Sequence, residues 1–245
     1  MEDTSDTWVA DAHRERGAIV ARSAVNGIAT QRMQGVKFAF DNGADKVVGH
    51  EPEKVLMSDF SHEIIRGLDE HAVLIIGRTA IAEASLPSVQ RRTEHMAGWI
   101  LEQTHNLPPD TLSGGRGFGK EGAMELAKYP ATETGFNNWI YLYHTPLAAR
   151  TIGLSIGGIK VDLIHPKIMT AEEEGNSKFD RKRYDQFKLQ LDYLLSRQDV
   201  DPSAQPIANA VIQAMDGLGS ESSNDEFELS IERLESRLKS FGYQR

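Results

Sequence analysis

The chain contains no cysteine. That absence removes disulfides, thiolate metal ligands, iron–sulfur ligation and cysteine nucleophiles together, and it leaves stability to packing. Long apolar runs are missing too: nowhere do roughly 18 apolar residues follow one another, so no segment is expected to span a bilayer. Met1 to Arg16 are rich in Asp, Glu and Arg and lack the apolar stretch of a secretory signal. These absences point to a cytoplasmic protein without membrane contact. Positive charge is in short supply, with 27 Lys and Arg against 36 Asp and Glu, a net charge of -9. Such a surface on average repels phosphate backbones and anionic lipid.

Signatures of catalysis and of cofactor binding are sparse. The eight histidines are scattered, and no His-Glu-x-x-His or His-x-x-x-His pair occurs, so no metal site and no cofactor are expected. Asp59, His62 and Glu63, then Asp69, Glu70 and His71, fall close together on a helical segment, where a surface or capping role accounts for them. Glu94-His95 is read the same way. Gly153-Leu154-Ser155-Ile156-Gly157 matches the Gly-x-Ser-x-Gly elbow letter for letter. An elbow needs a strand before the serine and a helix after it, and the apolar alternation here continues past Ser155, so a nucleophile is not expected.

Hydrophobic residues make up 40% and charged residues 26% of 245, which places the chain among folded proteins of one domain or two small lobes. The apolar spacing predicts a mainly α fold, a helical bundle-like domain over 1–216 with a break between lobes near 107–122. Trp8, Ala12, Ile19, Val20, Ala24, Ile28 and Met33 suggest one or two helices, followed by a turn at Asp41–Asp45. Leu56, Phe60, Ile64 and Leu68 form an amphipathic stripe. The continuous run Ala72–Ile76 is read as buried helix in preference to strand. A helix starting near Leu86-Pro87-Ser88 stops before Pro108-Pro109, and 110–122 reads as a glycine-rich loop. A short helix follows at 123–129. Ile152, Leu154 and Ile156, then Gly157-Gly158, then Ile159, Val161 and Leu163 predict one β-hairpin at about 152–164, with the glycines at its tip. Thr170 to Lys178 reads as exposed loop, and Tyr184 to Leu195 as another amphipathic helix. Pro206 opens a further helix that Gly217 closes.

Residues 217–224 read as a flexible linker and 225–245 as a C-terminal amphipathic helix. Ser223 and Glu226 have the spacing of a capping box, and Phe227, Ile231, Leu234, Leu238 and Phe241 follow at steps of four and three. That seam can dock on its own domain or on another copy.

Two features invite a functional reading. The stretch Gly114 to Gly122 combines freed main-chain amides with Arg116 and Lys120, a composition able to hold a phosphate or carboxylate. Gly117, Gly119 and Gly122 match Gly-x-Gly-x-x-Gly, without the preceding strand a dinucleotide site requires, and Gly-Lys-Glu departs from Walker A. Trp139, Tyr141 and Tyr143 alternate, a pattern read as core rather than as a stacking surface. The expected function is a non-enzymatic, self-associating structural protein, a viral coat or nucleocapsid-like subunit and homo-oligomer. Its apolar seam would link copies, and Arg91, Arg92, Arg116, Lys120, Arg181 and Arg183 would gather to contact nucleic acid. The alternative is an enzyme or small-ligand protein binding an anionic group at Gly114–Gly122.

Overall fold

A computed structural model describes residues 27–49, 59–108, 113–126, 141–196, 200–219 and 221–244, together with Asp11, Arg14 and Glu15. Most of the first expected helical stretch, Leu56, and Trp139 lie outside the described residues. The described chain is mainly helical and carries one four-stranded sheet.

Helix α1 (Ile28–Asp41) turns at Asn42-Gly43, where Gly43 takes φ 90, into strand β1 (Lys46–Gly49). Helix α2 (Ser61–Glu70) buries Ile64 and Leu68, as their four-residue spacing predicts. Then comes β2 (Val73–Arg78), whose six residues are all buried. The run expected as helix is therefore a strand. A strand covered on both faces reads as an unbroken apolar run, because neither side of the pleat meets water. Val73 joins the large core under the helices that follow, while Leu74 and Ile76 pack with Ile64 and Leu68 of α2 on the other face.

After β2 come α3 (Ala80–Ala84), α4 (Ser88–His105), β3 (Gly115–Gly119) and α5 (Lys120–Leu126), then α6 (Tyr141–Thr151) and β4 (Ile156–Val161). The strand order is β1-β3-β2-β4, with β3 antiparallel to both neighbours and β4 parallel to β2. The segment read as a loop between lobes thus supplies an inner strand. Its glycines admit close packing: a Cβ on Gly117 would stand 3.1 Å from the Leu68 side chain.

No β-hairpin forms at 152–164. Ile152 follows the end of α6, where Gly153 takes φ 77 and the Leu154 N–H donates to the Ala149 carbonyl at 2.9 Å. The second half of the pattern is a single strand, in register with β2 from Val73 opposite Ile156 to Arg78 opposite Val161. Gly157 and Gly158 serve close approach instead of reversal, since a Cβ on Gly157 would lie 2.1 Å from the His71 ring and one on Gly158 2.8 Å from Pro108.

Helix α7 (Lys167–Glu173) and the start of α8 (Ser177–Ser196) occupy most of the stretch expected as exposed loop. A 3₁₀ turn (Pro202–Ala204), α9 (Gln205–Met215) and α10 (Asn224–Lys239) complete the chain. The capping box at Ser223 and Glu226 is formed. Within the stretch expected as a linker, the Gly219 N–H donates to Ser222 Oγ at 3.0 Å, and the Arg181 guanidinium donates to the Ser222 carbonyl. Helix α10 packs on α9 and α8 of its own chain, with Phe227, Ile231, Leu234 and Leu238 at 1% exposure or less.

Candidate functional site

Strands β2 and β4 run in the same direction and end together, Arg78 beside Val161. The crevice outside the carboxyl ends of parallel strands is where α/β proteins commonly bind ligands, because the chain leaves each strand there and exposes loop and side-chain groups. Thr79 seals this end. Its N–H donates to the Val161 carbonyl at 3.1 Å, its hydroxyl donates to Asp162, and its oxygen caps α3.

Against this edge lies a cleft of about 130 Å³. One wall is a face of α4: Arg91, Glu94, His95, Gly98, Trp99 and Glu102 recur at three- and four-residue steps, which keeps them on one side of the helix. The other wall comes from Arg78 of β2, Lys160 of β4, Glu83 of α3 and Leu86 beyond it. Three cations and three carboxylates therefore share the cleft with one imidazole and one indole.

Some of these charges are satisfied internally. Arg78, 4% exposed, donates to Glu94, which also accepts from the Gln90 amide at 2.7 Å. His95 Nδ1 lies 3.9 Å from the Glu83 carboxylate. Contact with His95 holds the Glu83 carboxyl below its ordinary range, against the desolvation that opposes it. The other ring nitrogen, Nε2, is 3.1 Å from the Gln244 carbonyl; a carbonyl only accepts, so Nε2 carries the proton. Tyr243, 2% exposed, packs its ring 5.7 Å from His95 and 5.5 Å from Trp99. Lys160 and the Glu102 side chain are exposed and make no hydrogen bond or ion pair among the described residues.

A second polar group lies close by. The Glu173 carboxylate accepts from Arg183 at 3.4 Å, and both act on His165 together with Arg78 and Glu94. Burial is the largest influence on His165 and pulls its pKa down, with the Glu173 charge opposing.

The six cations expected to gather on nucleic acid are dispersed. Arg116 is 1% exposed and donates to the Gly115 and Leu142 carbonyls at 2.6 and 2.8 Å. Lys120 is exposed at the start of α5, so the two cations of the glycine-rich stretch do not form one anion cradle. Arg92 donates to Glu235 at 3.0 and 2.9 Å and to Glu228, clamping α10 onto α4. Burial alone would lower the Arg92 pKa, and the two carboxylates reverse that and raise it. Arg181 pairs with Asp185 and lies 5.0 Å over the Phe227 ring, while Arg183 is held by Glu173. Arg91 alone of the six lines the cleft.

The seam expected to join copies is used within the chain. Four of its five residues are buried in the chain's own core, leaving Phe241 at 41% exposure. Ser155 precedes a strand, not a helix, and its Oγ accepts the Ala72 N–H at 2.9 Å. Among the described residues no group of three or more His, Asp or Glu side chains is placed to hold a metal ion, and no helix is long and apolar enough to cross a membrane.

Arg78, Glu83 and Lys160 carried no signal in the sequence. Arg91, Glu94, His95 and Glu102 do share a helical stripe, the one local hint, but an alternating stripe is also what a solvated helix face shows. No protein-family model matches the chain, and neither a curated protein nor a solved structure does.

Proposed function

We propose that the chain is a binding protein for a small polar molecule, held in the cleft at the carboxyl ends of β2 and β4. The observation that carries this reading is the convergence of charges of both signs, from four separate elements, around one indole at a strand-end crevice. Binding is favoured over catalysis because both nitrogens of His95 face groups of the chain itself, Nε2 the Gln244 carbonyl and Nδ1 the Glu83 carboxylate. The coat or nucleocapsid-like reading draws less support, since it asks for a free apolar seam and for gathered cations.

A thermal-shift survey of small polar metabolites against the full chain tests the proposal. A ligand at a hundredfold its Kd stabilises by about 2.7 kcal/mol, which for a chain of this size raises Tm by roughly 5–10 °C. The expected result is such a rise for at least one compound, lost in the Arg91→Ala/Lys160→Met variant. No rise with any compound, or an equal rise in the variant, contradicts the reading.

A further inference from the structure

The charge pattern of the cleft narrows the ligand class, on the assumption that the cleft is the binding site proposed above. We propose that its ligand is a small zwitterion whose cationic and anionic groups are separated by an apolar chain, in chemical class an ω-amino acid.

The lining is balanced: Arg78, Arg91 and Lys160 against Glu83, Glu94 and Glu102. A bare phosphate or carboxylate entering it meets as many carboxylates as cations, and a bare ammonium meets the reverse, so each gains at one end only. A molecule carrying both signs gains at both ends.

Which groups receive it follows from the internal pairing. Arg78 and Glu94 engage each other and Glu83 faces His95. Lys160 and Glu102 make no ion pair or hydrogen bond among the described residues, Lys160 acting on Glu83 only at longer range, and the Arg91 guanidinium has a 3.5 Å contact with the Ala84 carbonyl and a longer-range attraction to Glu174. The anionic end therefore meets Lys160 and Arg91, and the cationic end meets Glu102.

Eleven residues of α4 separate Arg91 from Glu102, about 16 Å at 1.5 Å per residue. A ligand whose two charges stand several bonds apart spans that interval better than one bearing both on a single carbon. Between them α4 presents Gly98, which projects no side chain, and the Trp99 ring. A short methylene chain laid there loses little hydration that it does not regain as apolar contact.

The test is a titration of the ¹⁵N-labelled full chain at low ionic strength, followed by amide shifts of residues 91–102 and of Lys160. Three probes are compared: 6-aminohexanoate, hexanoate and hexylamine. The expected result is saturable binding of 6-aminohexanoate roughly two- to fivefold tighter than either single-charge probe, given what exposed ion pairs contribute. Glu102→Gln should then lower 6-aminohexanoate to the affinity of hexanoate without weakening hexanoate itself, and the Arg91→Ala/Lys160→Met variant should lower it to that of hexylamine. If hexanoate, hexylamine or inorganic phosphate binds as tightly as 6-aminohexanoate, the zwitterion assignment is overturned while the cleft remains a binding site. If no probe moves these resonances and the metabolite survey also raises no Tm, the binding reading falls with it.

Discussion

Replacing Arg92 by methionine removes the clamp between α4 and α10 and takes the guanidinium away from the Glu235 carboxylate. The Arg92 and Glu235 side chains are 12% and 10% exposed, so the pair is largely out of water and only weakly screened by salt. Taking one partner from a buried ion pair costs about 3–5 kcal/mol, because the remaining charge keeps its desolvation and loses its compensation. Glu235 retains a little solvent, which places the loss near 3 kcal/mol. With a urea m-value near 3 kcal/mol/M for a chain of this size, the unfolding midpoint should fall by about 1 M. Replacing both partners, Arg92→Met with Glu235→Leu, exchanges the pair for apolar contact and should return stability to within roughly 1 kcal/mol of the starting protein. Glu228, 39% exposed, stays solvated in both variants and still accepts from the Tyr184 hydroxyl at 2.6 Å. Solution mass should not change, because both ends of the clamp belong to one chain. A midpoint shift below about 0.2 M for Arg92→Met, or a double variant no more stable than the single one, would refute the reasoning.

At Gly157, alanine forces a methyl group against the His71 ring, which lies 2.1 Å from the required Cβ position; a loss of about 1–3 kcal/mol is expected in thermal unfolding, and an unchanged Tm would contradict the close approach. The Glu174 carboxylate accepts from the Ser88 hydroxyl and N–H at 2.5 and 2.8 Å, and these bonds hold its pKa below the ordinary 4.5. A depressed folded-state pKa gives stability that is present above 4.5 and disappears as pH falls through the lowered value, so Ser88→Ala should flatten the acid limb of a stability–pH profile, and an unaltered limb would count against it. Ser155, a hydrogen-bond acceptor ahead of a strand, should take no label from an active-site phosphonate under mass spectrometry, and an adduct on Ser155 would reopen a hydrolase.

What could be read from the sequence was what is local. The capping box at Ser223 and Glu226 needs only neighbours three residues apart, and the stripe of Ile64 and Leu68 follows from the helical repeat alone. The run at Ala72–Ile76 carries no periodicity to separate strand from buried helix. Its identity was decided by partners far along the chain, β3 on one side and β4 on the other. Glycine misled twice for one reason. Gly117 and Gly157 are small so that Leu68 and His71 can come close, and a sequence does not distinguish that need from the positive φ of a turn. The C-terminal seam was correct as a helix, but its partner was open between the chain's own core and another copy. Burial of Phe227, Ile231, Leu234 and Leu238 gives the seam an intramolecular use. The cleft was least legible, because Arg78 and Lys160 face α4 only once β2 and β4 pair in parallel.

The most direct measurement is the Trp99 indole N–H resonance in the ¹⁵N-labelled full chain during addition of 6-aminohexanoate. A saturable shift at Trp99 is expected, its midpoint moving to that of hexylamine in the Arg91→Ala/Lys160→Met variant. A stationary Trp99 signal, or a midpoint unchanged in that variant, would contradict zwitterion binding in the cleft.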